Sequence, residues 1–362
     1  MTTSTTATPT FSRQLVARVD EHLTTTFLRR AHGRLHRKAV VVGAWYLASY
    51  VLVLFTRGWL LGSIACVSLA LSIGAVGFNI QHDANHNAFF RTHGRRRLST
   101  ANRIAGLSLN AIGGNSTRWI EGHVRQHHVS TNIVGKDYDI ELPPFARLAP
   151  TQRHRPWHVF QHVYVWMLYG FTTVSIIVGD VVSTVQESVS GDRRGRSPSV
   201  VDYVVLIGSK GVFVVVMVVI PLLMHPWWVV VLGAGVVLGL SGFILGTVFQ
   251  LAHAVEEASF ADSDAPSSAR WHEWQVLTSV DFCHGPGPVA RAVTWYTGGL
   301  NFQTEHHLFP SVPHTAYPAI SPIVAETCAQ FGIRYHVQPT LRAALRSHYR
   351  HVRGMGRPTS AR

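Results

Sequence analysis

The chain has 362 residues, 47% hydrophobic and only 14% charged, and its 32 Lys and Arg outnumber 19 Asp and Glu to give a net charge of +13. Soluble proteins average about 25% charged residues, so an ordinary soluble domain is disfavoured, and the apolar content makes an anionic membrane surface, not nucleic acid, the partner for the basic excess. Three cysteines without paired spacing (Cys66, Cys283, Cys328) exclude a disulfide framework and a thiolate cluster. The outlier is histidine, with 22 copies.

Residues 1–38 are Thr-rich, then basic, and lack an apolar core, so they read as a cytosolic segment and not as a cleaved signal peptide. The first and last ten residues are expected to be loose. Uncharged runs follow between Lys38 and Arg57 and between Arg57 and Asp83. A spanning helix needs about 20 mostly apolar residues, which predicts spans at 39–56 and 59–80. Just past the second span, "QHDANHNAFF" sets His82 and His86 at i and i+4. "EGHVRQHHVSTN" then supplies His123, His127 and His128, the first two again at i and i+4.

Segment 156–179 has no charge but carries histidines, a glutamine and aromatics, so its length allows a crossing while its polarity suits a helix lying in the interface. The long uncharged run from Lys210 to Glu256 is broken at His225-Pro226-Trp227-Trp228 and predicts spans at 203–224 and 227–250. Lys210 falls inside the first of these and is expected to snorkel to the nearer surface. "LAHAVEE" places His253 directly after the fourth span. In "NFQTEHHLFP", a helix over 300–308 would put Gln303 and His307 on one face, with His306 close to the same side. Residues 341–362 read as a basic tail.

Four basic clusters orient the chain: "RRAHGRLHRK", "RTHGRRR", "DRRGR" and the Arg-rich C-terminus. The positive-inside rule is met if all four are cytoplasmic, which requires an even number of crossings between them. Two helical hairpins satisfy this, provided 156–179 does not cross. Both termini and every clustered histidine then lie at the cytoplasmic face of the cell membrane. Composition bias accounts for scattered histidines such as His22, His93, His154 and His336, and His22, His336 and His348 are expected to be dispensable. It does not account for three clusters with helical spacing on one side of a membrane.

Eight imidazoles (His82, His86, His123, His127, His128, His253, His306, His307) exceed the three or four ligands of a zinc site and suit two metals. Imidazole binds Zn, Cu, Fe and Ni. The position at the ends of apolar helices, where a hydrocarbon chain can lie, favours iron with O₂, because an unactivated C–H bond is beyond a zinc hydroxide. Two other readings stay open. One is a related di-iron lipid hydroxylase, acetylenase or ketolase. The other is a histidine-rich metal transporter, against which stands the lack of paired ionisable groups within the spans.

His82-Asp83-x-x-His86, His123-x-x-x-His127-His128 and Gln303-x-x-His306-His307, in that order around two hairpins, resemble the three histidine boxes of the membrane fatty acid desaturase family. The resemblance covers about residues 40–340. It implies an all-α integral membrane protein with four transmembrane helices and a cytosolic helical cap holding two iron ions, and O₂-dependent insertion of a double bond into an acyl-CoA or acyl-lipid. His253 matches the family's additional histidine. Gln303 stands where many members have histidine, a variant similar to front-end and acyl-lipid desaturases. Glutamine offers a metal only its carbonyl oxygen, so Gln303 is either a ligand or a hydrogen-bonding neighbour of one. Many front-end members carry a fused haem domain with a His-Pro-Gly-Gly turn. "CHGPGP" at 283–288 is not that motif, so electrons are expected from a separate ferredoxin- or cytochrome-type donor with its reductase. Metal-bound histidines usually donate their second N–H to a carboxylate or carbonyl. Asp83, Asp137, Asp139, Glu256, Glu257 and Glu305 are candidates for that, while Ser130 to Asn132 and Asn301 match family surroundings. Arg118 and Trp119 precede the second box without an evident role.

Overall fold

The computed structural model describes residues 10–91, 98–190, 199–262 and 270–358. The basic clusters at 92–97 and 192–196, His93 and the outermost residues 1–9 and 359–362 lie outside these. The described residues are mostly helical. Four helices are long and apolar enough to cross a membrane: Thr25–Phe55, Trp59–Asn85, Val200–Met224 and Trp227–His253. The first begins at Thr25 and not at 39, because Arg and Lys are good helix formers. A basic cluster marks where a helix leaves the bilayer and does not end it. Thr24 starts this helix, its side-chain oxygen accepting from the Phe27 N–H at 3.2 Å.

The first helix packs along the second, and the second along the fourth. Trp45 donates to Ser68 at 3.0 Å across the first pair. The two tight connections lie side by side: Arg57 donates to the Met224 carbonyl at 2.8 Å, and the Trp59 and Trp228 rings are 5.4 Å apart. Large apolar side chains point outward here, with Leu60 74%, Leu223 78% and Trp227 70% exposed. An apolar surface of this extent marks a lipid-facing belt.

The ambiguous segment forms two limbs, Pro156–Tyr169 and Thr172–Glu187, bent by 78°. The bend seats on the fourth long helix at Gly242, where a β-carbon would come within 2.5 Å of the Gly170 carbonyl. Lys210 does not snorkel. Its ammonium donates to the Asp180 carboxylate at 2.7 Å and to the Gly113 carbonyl at 2.5 Å. A buried carboxylate on the neighbouring limb makes a nearer partner than the water at the surface, so this ionisable pair is one the sequence reading overlooked. Arg118 reaches the same limb, donating to Thr184 and to Glu187, and so ties the start of the second box to it.

The first and last helices of the described residues pack beside the long helices. Phe11–His22 forms a helix whose Phe11, Leu15 and Val19 pack on Tyr317, Ile320 and Val324 of the helix Tyr317–Gln330. The segment read as a basic tail forms the helix Leu341–Met355. His348, expected to be dispensable, is fully buried there; its Nδ1 donates to the Ala254 carbonyl at 2.7 Å and its Nε2 accepts from the Tyr169 hydroxyl at 2.8 Å. Its i,i+4 neighbours carry no metal pattern, and only packing reveals its importance. His348→Ala leaves two buried polar groups without partners at about 1–3 kcal/mol each, so its thermal unfolding midpoint is expected to fall clearly, whereas that of His22→Ala stays unchanged.

Candidate metal centre

Box one is the end of the second long helix. The chain leaves its regular α-turns at Gly77–Gln81, a π-helical turn, and returns to α at His82–Asn85. This turn is clamped from outside. Asn79 donates to the Tyr296 carbonyl at 3.0 Å. Gly298, with φ of +62°, lies so close to the Phe78 carbonyl that no side chain fits between them. The clamp brings the approach to box three against box one.

Box two starts at Asn115, whose side-chain oxygen accepts from the N–H groups of Thr117 and Arg118 at 3.0 and 3.2 Å. From Ile120 to His127 the helix is again π-helical. Its i→i+5 bonding widens each turn, and such turns are frequent at functional sites. Residues four and five apart then both overlie the first, so His123, His127 and His128 all face inward. Box three is shorter than the expected 300–308 and spans Gln303–Leu308. Gly298 and Gly299 have positive φ, and the Asn301 side chain donates to the Thr294 hydroxyl at 3.0 Å and the Cys283 carbonyl at 3.3 Å. Those bonds hold a non-helical turn up to residue 302. His253 is the last residue of the fourth long helix.

All eight predicted histidines converge, each no more than 5% exposed. Potential ligand atoms of His82, His86, His123 and His306 lie within 4.8 Å of one another, as do those of His127, His253 and His307. His128 sits between the two groups, forming a further set with His306 and His307. Its ring is 4.5 Å from that of His86 and stacked at 4.2 Å on that of His307. Gln303 belongs to the second group, its side-chain nitrogen 2.9 Å from His253 Nε2. The Asn301 side chain bonds to Thr294 and Cys283 and to no histidine of the cluster.

Outer partners fix the rings. Asp137 accepts from His127 Nδ1 at 3.0 Å and from the Asn132 N–H at 2.8 Å. Asp139, half-exposed, lies 3.5 Å from His123 Nδ1 and 3.4 Å from His127 Nδ1. The Thr278 carbonyl accepts from His253 Nδ1 at 3.0 Å, and the Gln275 side-chain oxygen from His307 Nδ1 at 2.7 Å. The Tyr317 hydroxyl lies 3.2 Å from His306 Nδ1. Trp119 stacks on His123, ring centres 4.3 Å apart. Of the other candidate carboxylates, Asp83 binds His314, at 2.9 Å from Nδ1, and stays 4.0 Å from His82. Glu305 accepts from the Tyr335 hydroxyl at 2.9 Å, Glu257 from Ser347 at 2.6 Å, and Glu256 lies 3.8 Å from Arg350. These last three lie outside the cluster. Gln275, Thr278, Tyr317 and His314 went unrecognised in the sequence. They sit in segments without histidine spacing: the packing of Trp271–Thr278 and Tyr317–Gln330 against box three brings in the first three, and the turn His314–Ala316, packed on the first long helix, brings His314 to Asp83.

The electrostatics suit a cation. Burial pushes His123 down to about 3 and holds His128, His306 and His307 well below the usual imidazole range. Burial acts on His127 too, but the Asp137 and Asp139 carboxylates overcome it and raise that ring to about 9, which makes it the most basic donor of the set. Metal ligation needs neutral imidazole, and burial keeps most of the set neutral at pH 7. Nε2 of His82, His86 and His306 and the Gln303 oxygen are buried without a protein partner. Such atoms are rare in native interiors and cost about 1–3 kcal/mol each unless something binds them. Ring nitrogens also face each other, His123 and His128 at 3.3 Å and His253 and His307 at 3.2 Å. Each facing pair accommodates at most one proton, and a cation placed among them satisfies both lone pairs. The residues present therefore fit a metal site.

Comparison with known proteins agrees with this geometry. The family description "Fatty acid desaturase" matches residues 57–339. An sn-1 linoleoyl-lipid 6-desaturase of Arthrospira platensis is 34% identical over 95% of this chain and 92% of its own. A protein of the same name from Synechocystis sp. is 31% identical over 96% of both chains. An acyl-lipid (8-3)-desaturase of Physcomitrium patens is 32% identical over 90% of this chain and 67% of its own. With its buried histidine cluster, its four long apolar helices and these relatives, the chain belongs to the fatty acid desaturase family, as an oxidoreductase that introduces double bonds into fatty acyl chains.

Proposed function

We propose that this enzyme is a di-iron acyl-lipid desaturase that acts on a chain esterified in a membrane glycerolipid and inserts the new double bond on the carboxyl side of an existing one, at carbon 6. The observation that carries the iron chemistry is the grouping of eight buried imidazoles into two sets joined by His128, with Gln303 against His253. The substrate is argued from the two cyanobacterial relatives, both named for a lipid-bound linoleoyl chain and position 6, which align over nearly the whole length.

His82, His86, His123 and His306 would hold one iron; His127, His253 and His307 would hold the other, with His128 between them and Gln303 supporting from beside His253. Iron supplies the oxidising power, with O₂, to remove hydrogen from unactivated methylenes. The protein's part is to keep water out and the ligands in place. Trp119 walls His123, and the carbonyl of Thr278 and the side chains of Asp137, Gln275 and Tyr317 orient rings from outside. Basic residues near the helix starts favour two helical hairpins in the cell membrane, with the centre in a cap at the cytoplasmic face and the bent pair on that same side without crossing. Two electrons per turnover come from a separate ferredoxin- or cytochrome-type donor. Expression in a host that makes linoleoyl lipids but no 6-unsaturated acyl chains, followed by mass-spectrometric location of double bonds, tests the proposal. A new bond at carbon 6 on intact lipids is the expected product. Hydroxylated chains, or a product confined to acyl-CoA, would overturn it.

Gln303 separates ligation from support. Its amide already contacts His253, and its unpartnered oxygen faces the same buried space. Changes outside the ligand set typically cost about 10–100-fold in metal affinity or activity. Gln303→Ala is expected to fall in that range and to keep most of its iron, while His307→Ala loses both. Equal iron loss in the two variants would make Gln303 a direct ligand.

A further inference from the structure

Desaturation takes two hydrogens from the chain and reduces O₂ to two waters, so it balances only when two more electrons and two protons enter: –CH₂–CH₂– + O₂ + 2e⁻ + 2H⁺ → –CH=CH– + 2H₂O. The place where those electrons enter is a question that rests on the function proposed above, and the C-terminal helix answers it.

Leu341–Met355 has two unlike faces. Ala344, Ser347, His348, His351 and Val352 are buried, while Arg342, Arg346, Arg350 and Arg353 are exposed. At about 100° per residue the four arginines fall within roughly 80° of one another, opposite the buried set. The inner face holds the segment that directly follows His253. His348 donates to the Ala254 carbonyl at 2.7 Å, and Ser347 accepts from the Glu256 N–H at 3.0 Å and donates to Glu257 at 2.6 Å. His253 in turn faces His307 at 3.2 Å. The helix that carries the arginines therefore packs through its inner side chains on the residues that directly follow the ligand His253.

The same inner face also rests on the limb Pro156–Tyr169. Gln161 donates to the Val352 carbonyl at 2.8 Å, and Tyr169 donates to His348. That limb exposes Phe160, Val163 and Met167 at 65–67% on its own outer side. A surface of this kind rests on hydrocarbon, so the arginines lie on the far side of the helix from it and look toward solvent. The exposed acid beside them is Glu256, which lies 3.8 Å from Arg350. With four arginines against Glu256 and the half-buried Glu257 the patch is net positive, which favours an acidic partner and speeds its encounter.

We propose that the arginine face of Leu341–Met355 is the docking surface for an acidic one-electron carrier protein, which reduces the metal centre across Ala254–Glu257. The test uses the full chain, iron-loaded, in nanodiscs of neutral lipid, titrated calorimetrically with a purified acidic [2Fe–2S] ferredoxin. The comparison is R342E/R346E/R353E, which leaves Arg350 beside Glu256. The wild type is expected to bind, and to bind more weakly at about 0.3 M salt, where screening cuts the reach of surface charge below ~10 Å. The variant is expected to lose at least about tenfold in ferredoxin affinity and in ferredoxin-driven turnover at limiting carrier, while its turnover with dithionite stays within about twofold of wild type. No ferredoxin binding by the wild type, or equal affinity in the two proteins, overturns the proposal. So does an equal loss with dithionite, which would make the arginines structural. A defect seen only in anionic-lipid discs would assign the face to the membrane and also overturn it. Failure of the di-iron reading shows separately, as a wild type that desaturates with neither reductant, and the binding measurement still decides the docking surface.

Discussion

His128→Ala is expected to abolish desaturation and to lower bound iron in both ligand groups at once. His128 lies between the sets, its ring 4.6 Å from that of His306 and 4.2 Å from that of His307, with its Nε2 3.3 Å from His123 Nε2. Removing it opens a void next to members of both groups and takes away the one imidazole that borders both. The loss should exceed the roughly 100-fold upper end typical of supporting residues. The fold should survive, because the long apolar helices and the Phe11–Tyr317 core do not involve this ring. Metal analysis alongside double-bond yield makes the check: a variant with full iron and measurable turnover would remove His128 from the ligand set.

Asp137→Ala should damage stability and activity together. The fully buried carboxylate accepts from His127 Nδ1, from the Asn132 N–H at 2.8 Å and from the Asp139 N–H at 3.0 Å. Alanine strands the His127 and Asn132 donors away from water. Breaking a buried charged pair by deleting one partner costs about 3–5 kcal/mol, enough to lower the unfolding midpoint markedly even in the metal-free protein. His127 also loses the contact that raises its basicity, so iron binding in the second group should weaken about 10–100-fold. Asp137→Asn keeps one acceptor oxygen and should lie between the two. An unfolding midpoint unchanged in Asp137→Ala would show that water or Asp139 replaces the carboxylate.

Three kinds of structure were legible along the chain. The long apolar runs set the four helices, because hydropathy is summed over neighbours and needs no distant partner. The i,i+4 histidine pairs set which imidazoles converge, because helical periodicity aligns them wherever the helix ends. The third box matched the family on spacing alone, and Gln303 was recognised as its variant position. Tertiary packing decided the rest. The π-helical turn at Gly77–Gln81 is clamped from outside by Gly298 and the Tyr296 carbonyl, and the residues that lead into the one at Ile120–His127 are tied down by the Arg118–Glu187 pair. Gln275, Tyr317 and the Thr278 carbonyl orient ligand rings from segments with no pattern of their own. Lys210 found Asp180, 30 residues away, where local reasoning had sent it to the surface. Asp83, the acid inside box one, turned to His314 from 231 residues further along. A side chain's periodicity is a property of its own helix. Its partner is a property of whatever packs against that helix, and at this site most of those partners come from distant parts of the chain.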